Sequence, residues 1–481
     1  METLGGRALK VLKAPGTGFY RRLLHHLVSG IHEDLLLKMK GGYSAGRPGG
    51  KRGEEASVYV ESYGCTANQY DLEIMLAYLG EAGYRLSDSP DSADVLLVNT
   101  CGVKKPTEDR VLCRLHSLSR LGKPLVVAGC LPRINLPAIR RAAPGFSAVM
   151  DPRSVDRVLL AVGGPERREK NRVFFSEEPT VKPELPKVRV NRLVEIVQIA
   201  EGCTGSCSFC CVRFARGRLS SYPEETLLDQ VGRAVKQGAR EVWLTAQDTG
   251  AYGRDTGTDL AELLKGICGI EGKFLVRVGM MNPDHALGML PRLIDAYRDR
   301  KVFKFLHLPV QSGDDEVLRL MNRPYSVEEF KTVVRSFRRK IPRITVATDV
   351  ICGFPGEGDQ AFERSLRLME EVKPDVLNIS QFHPRPGTPA ERIDSLPQAE
   401  VKERSRRMTA LFRRIREEGN RAWLGWRGEI IVDEKGKEGS WVGRNFAYRP
   451  VVVRSREELL GKFLEVEVRE AFPTYLPAEL V

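Results

Sequence analysis

No stretch of the 481 residues approaches the roughly 18 uncharged apolar residues needed to cross a bilayer. The amino-terminal segment also lacks the compact apolar block of a secretory signal. Both absences predict a cytoplasmic protein with no membrane partner. Cysteine is sparse: ten residues in so long a chain do not make a disulfide scaffold. In a reducing compartment, grouped cysteines are more often metal ligands or catalysts, and six of the ten are grouped.

What is present is ordinary for soluble domains, with 42% hydrophobic and 29% charged residues. The length exceeds what one core organises and predicts about three domains. The formal charge of +12 is concentrated in two places. Residues 1–52 hold ten Lys and Arg against three Asp and Glu, and residues 397–428 hold nine against four. A basic excess fits either an acidic partner such as nucleic acid or a solvated face, and charge alone leaves both open.

Residues 1–56 combine basic and Gly-rich pieces with one apolar stretch, 25–37, long enough for a helix. A mobile basic extension is expected here, with weak RNA binding, a targeting peptide or a true start at Met39 as the open readings. From Val58 short β-rich runs at 58–61, 95–98 and 125–128 alternate with helical patterns, including 68–82 and 136–141. Such alternation predicts a doubly wound parallel-sheet α/β domain over 57–168. After a linker at 169–190, apolar runs start at Val194, Val242, Leu275, Phe303, Ile344 and Val376. Six β/α units predict a partial (β/α)6 barrel over 191–425. Beyond it, runs at 429–432, 450–453 and 463–468 predict a small β-barrel over 426–481.

In Cys203-x-x-x-Cys207-x-x-Cys210, three thiols fall within eight residues, directly after the apolar run 194–200. They therefore belong on a loop at the carboxyl end of a strand, the rim where barrels place active sites. Zinc is the competing reading, but a structural zinc site closes with four ligands, and Cys211 abuts Cys210 too closely to chelate the same ion. A [4Fe-4S] cluster held by three thiolates keeps one iron open. An open iron can chelate the amino and carboxylate groups of S-adenosylmethionine.

A second set is dispersed. Cys65, Cys101 and Cys130 each lie just past a predicted parallel strand, and each is flanked by glycine. In a doubly wound sheet the carboxyl ends of neighbouring strands share one crevice, so the three are expected to converge. Small buried core cysteines are the competing reading, which Cys113, Cys268 and Cys352 keep.

The first spacing, with Phe209 before its last cysteine, resembles the radical S-adenosylmethionine superfamily. From about residue 57 to the end the chain resembles the methylthiotransferases. The matching pieces are Tyr63-Gly-Cys65-Thr-Ala-Asn68, Asn99-Thr-Cys101, Gly129-Cys130, Glu201-Gly-Cys203 to Cys210, His307-Leu-Pro-Val-Gln-Ser312, Thr348 to Glu357 and Pro384-Arg-Pro-Gly-Thr-Pro389. Ala215-Arg-Gly-Arg-Leu-Ser-Ser-Tyr-Pro223, Gln247-Asp248 and Gly279-Met-Met-Asn-Pro283 are similar to the MtaB-type group of archaea and eukaryotes. The chain also lacks the hydrophobic carboxyl-terminal tail of some eukaryotic members, which suits an archaeal-type soluble enzyme.

The resemblance implies an amino-terminal cluster domain, a radical barrel and a carboxyl-terminal TRAM barrel that binds RNA. It implies two [4Fe-4S] clusters, one on Cys65, Cys101 and Cys130 and one on Cys203, Cys207 and Cys210, with S-adenosylmethionine as cofactor. The implied reaction converts threonylcarbamoyl-adenosine at tRNA position 37 to its 2-methylthio form, with ferredoxin or flavodoxin as electron donor. Isopentenyl-adenosine in tRNA or a ribosomal protein is the alternative target. A radical route suits this chemistry, because the aromatic adenine C2–H is not acidic and no side-chain base near neutral pKa could remove its proton at a useful rate. No catalytic side chain is expected beyond the ligands. Phe209, Gln247, His307 and Asp349 are the cofactor-binding candidates, and residues 216–223 are expected to discriminate substrate. For RNA, Arg404, Arg406, Arg407, Arg413, Arg414 and Arg416 form a dense basic helix. It leads to Lys435, Lys437, Trp441, Arg444 and Tyr448, which mix cations with aromatics.

Overall fold

The computed structural model describes residues 56–163 and 169–481, so the expected basic extension and the helix expected at 25–37 lie outside the described residues. Strands β1 (Ser57–Ser62), β2 (Arg85–Leu86), β3 (Val95–Thr100), β4 (Leu125–Gly129), β5 (Ala148–Met150) and β6 (Arg172–Phe174) form one parallel sheet in the order β2-β1-β3-β4-β5-β6. Every residue of β3 and β4 is buried, as near-continuous apolar runs in a sheet covered on both faces require. The chain order reverses between β1 and β3, the kind of switch point at whose strand ends doubly wound sheets place their sites. The helix foreseen at 136–141 begins earlier, at Leu131, and carries a kink at Asn135 ahead of Pro137.

The stretch 169–190, expected to be a linker, is built into the fold. It supplies β6 and the fully buried Lys182, held by Asp71 and Glu201. The helix Thr66–Glu81 packs beside the next strand, and buried Lys187 pairs with both Glu73 and Glu195. The amino-terminal sheet domain is thereby fastened to the barrel through charge pairs as well as apolar contact.

The central domain holds β7 (Val194–Gln198), the short antiparallel pair β8 (Ala200–Glu201) and β9 (Ser220–Ser221), then β10 (Glu241–Thr245), β11 (Leu275–Val278), β12 (Phe305–His307), β13 (Thr345–Cys352) and β14 (Val376–Gln381). The sheets β11-β10-β7 and β12-β13-β14 are parallel and meet through a parallel bridge between Val276 and Val302. The six expected runs are thus six barrel strands, with β7 and β14 as the unpaired edges among the described residues.

After the helix Gln398–Arg421 come β15 (Arg427–Lys435), β16 (Ser440–Asn445), β17 (Pro450–Arg454), β18 (Phe463–Val468) and β19 (Leu476–Leu480), closed in the order β15-β16-β17-β19-β18. This barrel sits beside the amino-terminal ends of β10 and β12, opposite the rim that follows their carboxyl ends. The Tyr448 ring packs edge-on to Phe303 at 4.8 Å and Phe305 at 5.4 Å, and the Lys304 N–H donates to the Phe446 carbonyl at 2.7 Å. Among the described residues no helix is long and apolar enough to cross a membrane.

Candidate functional site

The three dispersed cysteines follow β1, β3 and β4, which are immediate neighbours in the sheet. Their glycines let the loops approach. At Gly129 (φ +95°) a Cβ would stand 2.3 Å from the Thr100 carbonyl oxygen, and at Gly64 (φ +128°) one would stand 3.0 Å from the Cys101 Cβ. Asn68 laces the strand ends together: its Nδ2 donates to the Tyr63 and Thr100 carbonyls at 3.0 and 2.9 Å. Its Oδ1 lies 3.5 Å from the Cys130 sulfur. Cys65 and Cys130 also occupy the first-turn caps of the helices Thr66–Glu81 and Leu131–Ala142, where the helix dipole favours an anionic sulfur. Burial pushes the Cys101 thiol up to about 12, with the thiols of Cys130 and Cys65 adding to it. Burial likewise pushes Cys130 up to about 11, against the opposing pull of Arg216.

The loop triad starts where β8 pairs with β9, and Gly202 (φ +79°) leaves no room for a side chain, since a Cβ would stand 1.9 Å from the Arg218 carbonyl oxygen. Gln247, one of the sequence candidates, accepts from the Gly202 N–H at 2.7 Å and so holds this turn. Two donors face the sulfurs: the Gly205 N–H reaches Cys203 and Arg323 Nη1 reaches Cys207, both at 3.2 Å. Burial pushes Cys203 up to about 11, Asp248 adding to it, and pushes Cys210 up to about 12. Among the described residues no three His, Cys, Asp or Glu are grouped as the ligands of one metal ion. The six cysteines stand as two looser triads.

Of the other candidates, His307 Nε2 lies 2.6 Å from Asp349 Oδ2 at the ends of β12 and within β13. Burial works to raise the Asp349 pKa, but His307 and then Asn378 outweigh it and hold the carboxyl below its ordinary value. Phe209 turns into a hydrophobic cluster, edge-on to Phe354 at 6.3 Å.

Sequence reasoning missed two buried polar chains. One runs from Cys207 through Arg323 to Asn282 Oδ1 (2.5 Å), then from Asn282 to Asp248, whose Oδ2 faces His285 Nδ1 at 2.8 Å. The other joins Arg216, read as part of the substrate segment, to Glu201 at 2.9 Å, Asp71 at 2.6 Å and Asn68 at 2.8 Å. Asp248 and Arg216 both lay inside matched motifs, and the available signal was their place beside the cysteine loop.

The RNA candidates divide. Arg404 is buried against Glu357, Asp359 and Glu400, Arg407 pairs with Glu363 at 2.6 Å, and Arg444 pairs with Asp433 at 3.0 Å. Trp441 and Tyr448 are buried as well, so with Arg404 and Arg444 they are part of the packing and not an open basic face, whereas Arg407 stays exposed within its ion pair. Arg406, Arg413, Arg414, Lys435 and Lys437 are exposed, and Arg416 is half-buried over Phe412.

Three family models match this chain: "Uncharacterized protein family UPF0004" over residues 57–151, the radical SAM superfamily over 197–369 and the TRAM domain over 425–481. A radical S-adenosylmethionine methyltransferase structure, TsrM from Kitasatospora setae, matches with a TM-score of 0.51 at 14% identity, covering 70% of this chain and 75% of that one, which bears on the fold alone. Among curated relatives, a probable threonylcarbamoyladenosine tRNA methylthiotransferase of Pyrococcus horikoshii is 42% identical over 88% of this chain and 99% of its own length. The one of Methanothermobacter thermautotrophicus is 44% identical over the same shares, and the Homo sapiens threonylcarbamoyladenosine tRNA methylthiotransferase is 35% identical over 88% of this chain and 74% of its own. This chain belongs to the threonylcarbamoyladenosine tRNA methylthiotransferase family.

Proposed function

We propose that the protein adds a methylthio group to C2 of threonylcarbamoyl-adenosine at position 37 of the tRNA anticodon loop, by radical S-adenosylmethionine chemistry. The observation that supports this most is the meeting of two cysteine triads from separate domains, joined through Asn68, Arg216 and Glu201. Cys65, Cys101 and Cys130 are the ligands of one [4Fe-4S] cluster, and Cys203, Cys207 and Cys210 those of a second, beside which S-adenosylmethionine binds. Each set offers three thiols, which suits a cluster that keeps one iron open. When bound, these cofactors supply the one-electron chemistry and the sulfur.

The chain's own part is preparation. A thiol must give up its proton to ligate iron, so cluster loading releases protons and is weakened by acid. The Gly205 N–H and the Arg323 guanidinium point at sulfurs and favour their anionic form. Gln247 holds the Gly202 turn, while His307 and Asp349 form a polar pair at the rim for cofactor or substrate, with Phe209 backing the loop. A ferredoxin or flavodoxin supplies electrons, in the cytoplasm where the tRNA is. The choice of threonylcarbamoyl-adenosine over isopentenyl-adenosine or a ribosomal protein follows the relatives and residues 216–223. Mass spectrometry of tRNA nucleosides from cells with and without the gene tests it. The 2-methylthio form should vanish on deletion, and its persistence at the wild-type level would refute the proposal.

A further inference from the structure

Arg216 is among the most completely buried large side chains, 1% exposed, although it lies in a segment rich in exposed cations. Its guanidinium meets carboxylates from both domains, Asp71 of the amino-terminal domain and Glu201 of the loop. Lys182, 0% exposed, bridges the same two carboxylates at 2.6 and 2.8 Å. Two cations thus face two anions, and the set is balanced without any cysteine. Only one of the cations reaches further. Arg216 Nη2 donates to Asn68 Oδ1 at 2.8 Å, and that same oxygen lies 3.5 Å from the Cys130 sulfur. Lys182 makes no hydrogen bond to Asn68 or to a cysteine among the described residues.

The position is held from both sides. Arg153 of the amino-terminal domain donates to the Arg216 carbonyl at 2.9 Å and fills the space a side chain would take at Gly217. Glu201 is one residue before the Gly202-Cys203 turn and is paired with Ser220 across β8 and β9. A guanidinium cannot shed its proton in a protein, so this charge is permanent. A fixed positive charge and a hydrogen-bond network beside a ligand sulfur favour the more negative, reduced form of an iron–sulfur cluster and raise its potential.

We propose that Arg216 is a positioning residue that registers Cys130 against the Cys203 loop and holds up the reduction potential of the cluster on Cys65, Cys101 and Cys130. This rests on the assignment of that triad to a cluster. The test uses the full chain carrying Cys203→Ala, Cys207→Ala and Cys210→Ala, reconstituted anaerobically so that only the amino-terminal cluster reports in an EPR-monitored redox titration. Arg216→Gln should shift the midpoint potential to more negative values. Arg216→Lys, which keeps the charge but loses the fork, should shift it less, and Lys182→Met should move it less than Arg216→Gln does. In the enzyme with all six cysteines, Arg216→Gln should lower the ratio of methylthiolated product to 5′-deoxyadenosine about 10–100-fold, the range for residues that orient metal ligands. A wild-type potential in folded, iron-loaded Arg216→Gln overturns the proposal. Should that variant not fold, a wild-type potential in Arg216→Lys overturns it, as does a Lys182→Met shift equal to the largest seen. Failure of the parent to bind iron at all would overturn the cluster assignment together with this inference.

Discussion

The two cysteine triads each offer three thiols, but they are built in opposite ways. The Cys203 triad is local: one loop of eight residues, braced by Gln247 and Arg323, could be drawn from its spacing alone. The Cys65 triad is topological, since its members follow β1, β3 and β4 and meet only because those strands are neighbours. A local triad depends on the loop that carries it, and a topological one on the whole sheet. Damage to either should therefore spread differently.

The largest expected difference is in chemistry. Cys203→Ala should abolish reductive formation of 5′-deoxyadenosine, and with it all methylthiolation, in anaerobically reconstituted enzyme assayed by liquid chromatography. Residual deoxyadenosine at more than trace levels would remove the loop from its role. Next in size are the two glycines. Gly202→Ala forces a Cβ against Arg218 and Gly129→Ala forces one against Thr100, each also straining a left-handed backbone by about 1–3 kcal/mol. Iron analysis and thermal unfolding should show Gly202→Ala losing the loop cluster with a near-normal sheet, whereas Gly129→Ala should lower stability along with iron. Equal behaviour of the two would erase the distinction.

A smaller asymmetry concerns pH. Burial lowers the His285 pKa, but the hydrogen bond and charge of Asp248 outweigh it and leave it raised. The stability this pair adds is full below the ordinary histidine value of about 6.5 and is lost as pH rises through the raised one. Thermal unfolding of His285→Gln against wild type should therefore differ most at acidic pH and converge at alkaline pH; a difference independent of pH would argue for packing instead. The smallest effect belongs outside both triads. Arg406 and Glu403 form an exposed pair at 3.5 Å, so Arg406→Ala should change stability by about 0–1 kcal/mol.

Periodicity was enough to read three strands of the parallel sheet, the six barrel strands and the three-part order, because each of those strands is a compact apolar run. It missed β16 and β19, where Gly443 and Pro477 break the alternation that marks a strand. It also took residues 169–190 for a linker, since the burial of Lys182 depends on carboxylates elsewhere in the chain. The same limit explains Arg216 and Arg404. An arginine in a basic segment looks solvated, and only the fold brings Asp71 and Glu201 to one and Glu357 to the other. The two cysteine triads stood out for the opposite reason: the spacing of Cys203, Cys207 and Cys210 and the glycines beside Cys65, Cys101 and Cys130 are local, and strand order was the missing link for the second set.

Cys65→Ala tests the division of labour between the triads most directly. Reduced, reconstituted Cys65→Ala enzyme would be given S-adenosylmethionine and tRNA bearing threonylcarbamoyl-adenosine, and both products measured in the same reaction. The reaction should yield 5′-deoxyadenosine without the 2-methylthio nucleoside. Methylthiolation at the wild-type rate, or loss of 5′-deoxyadenosine as complete as in Cys203→Ala, would contradict it.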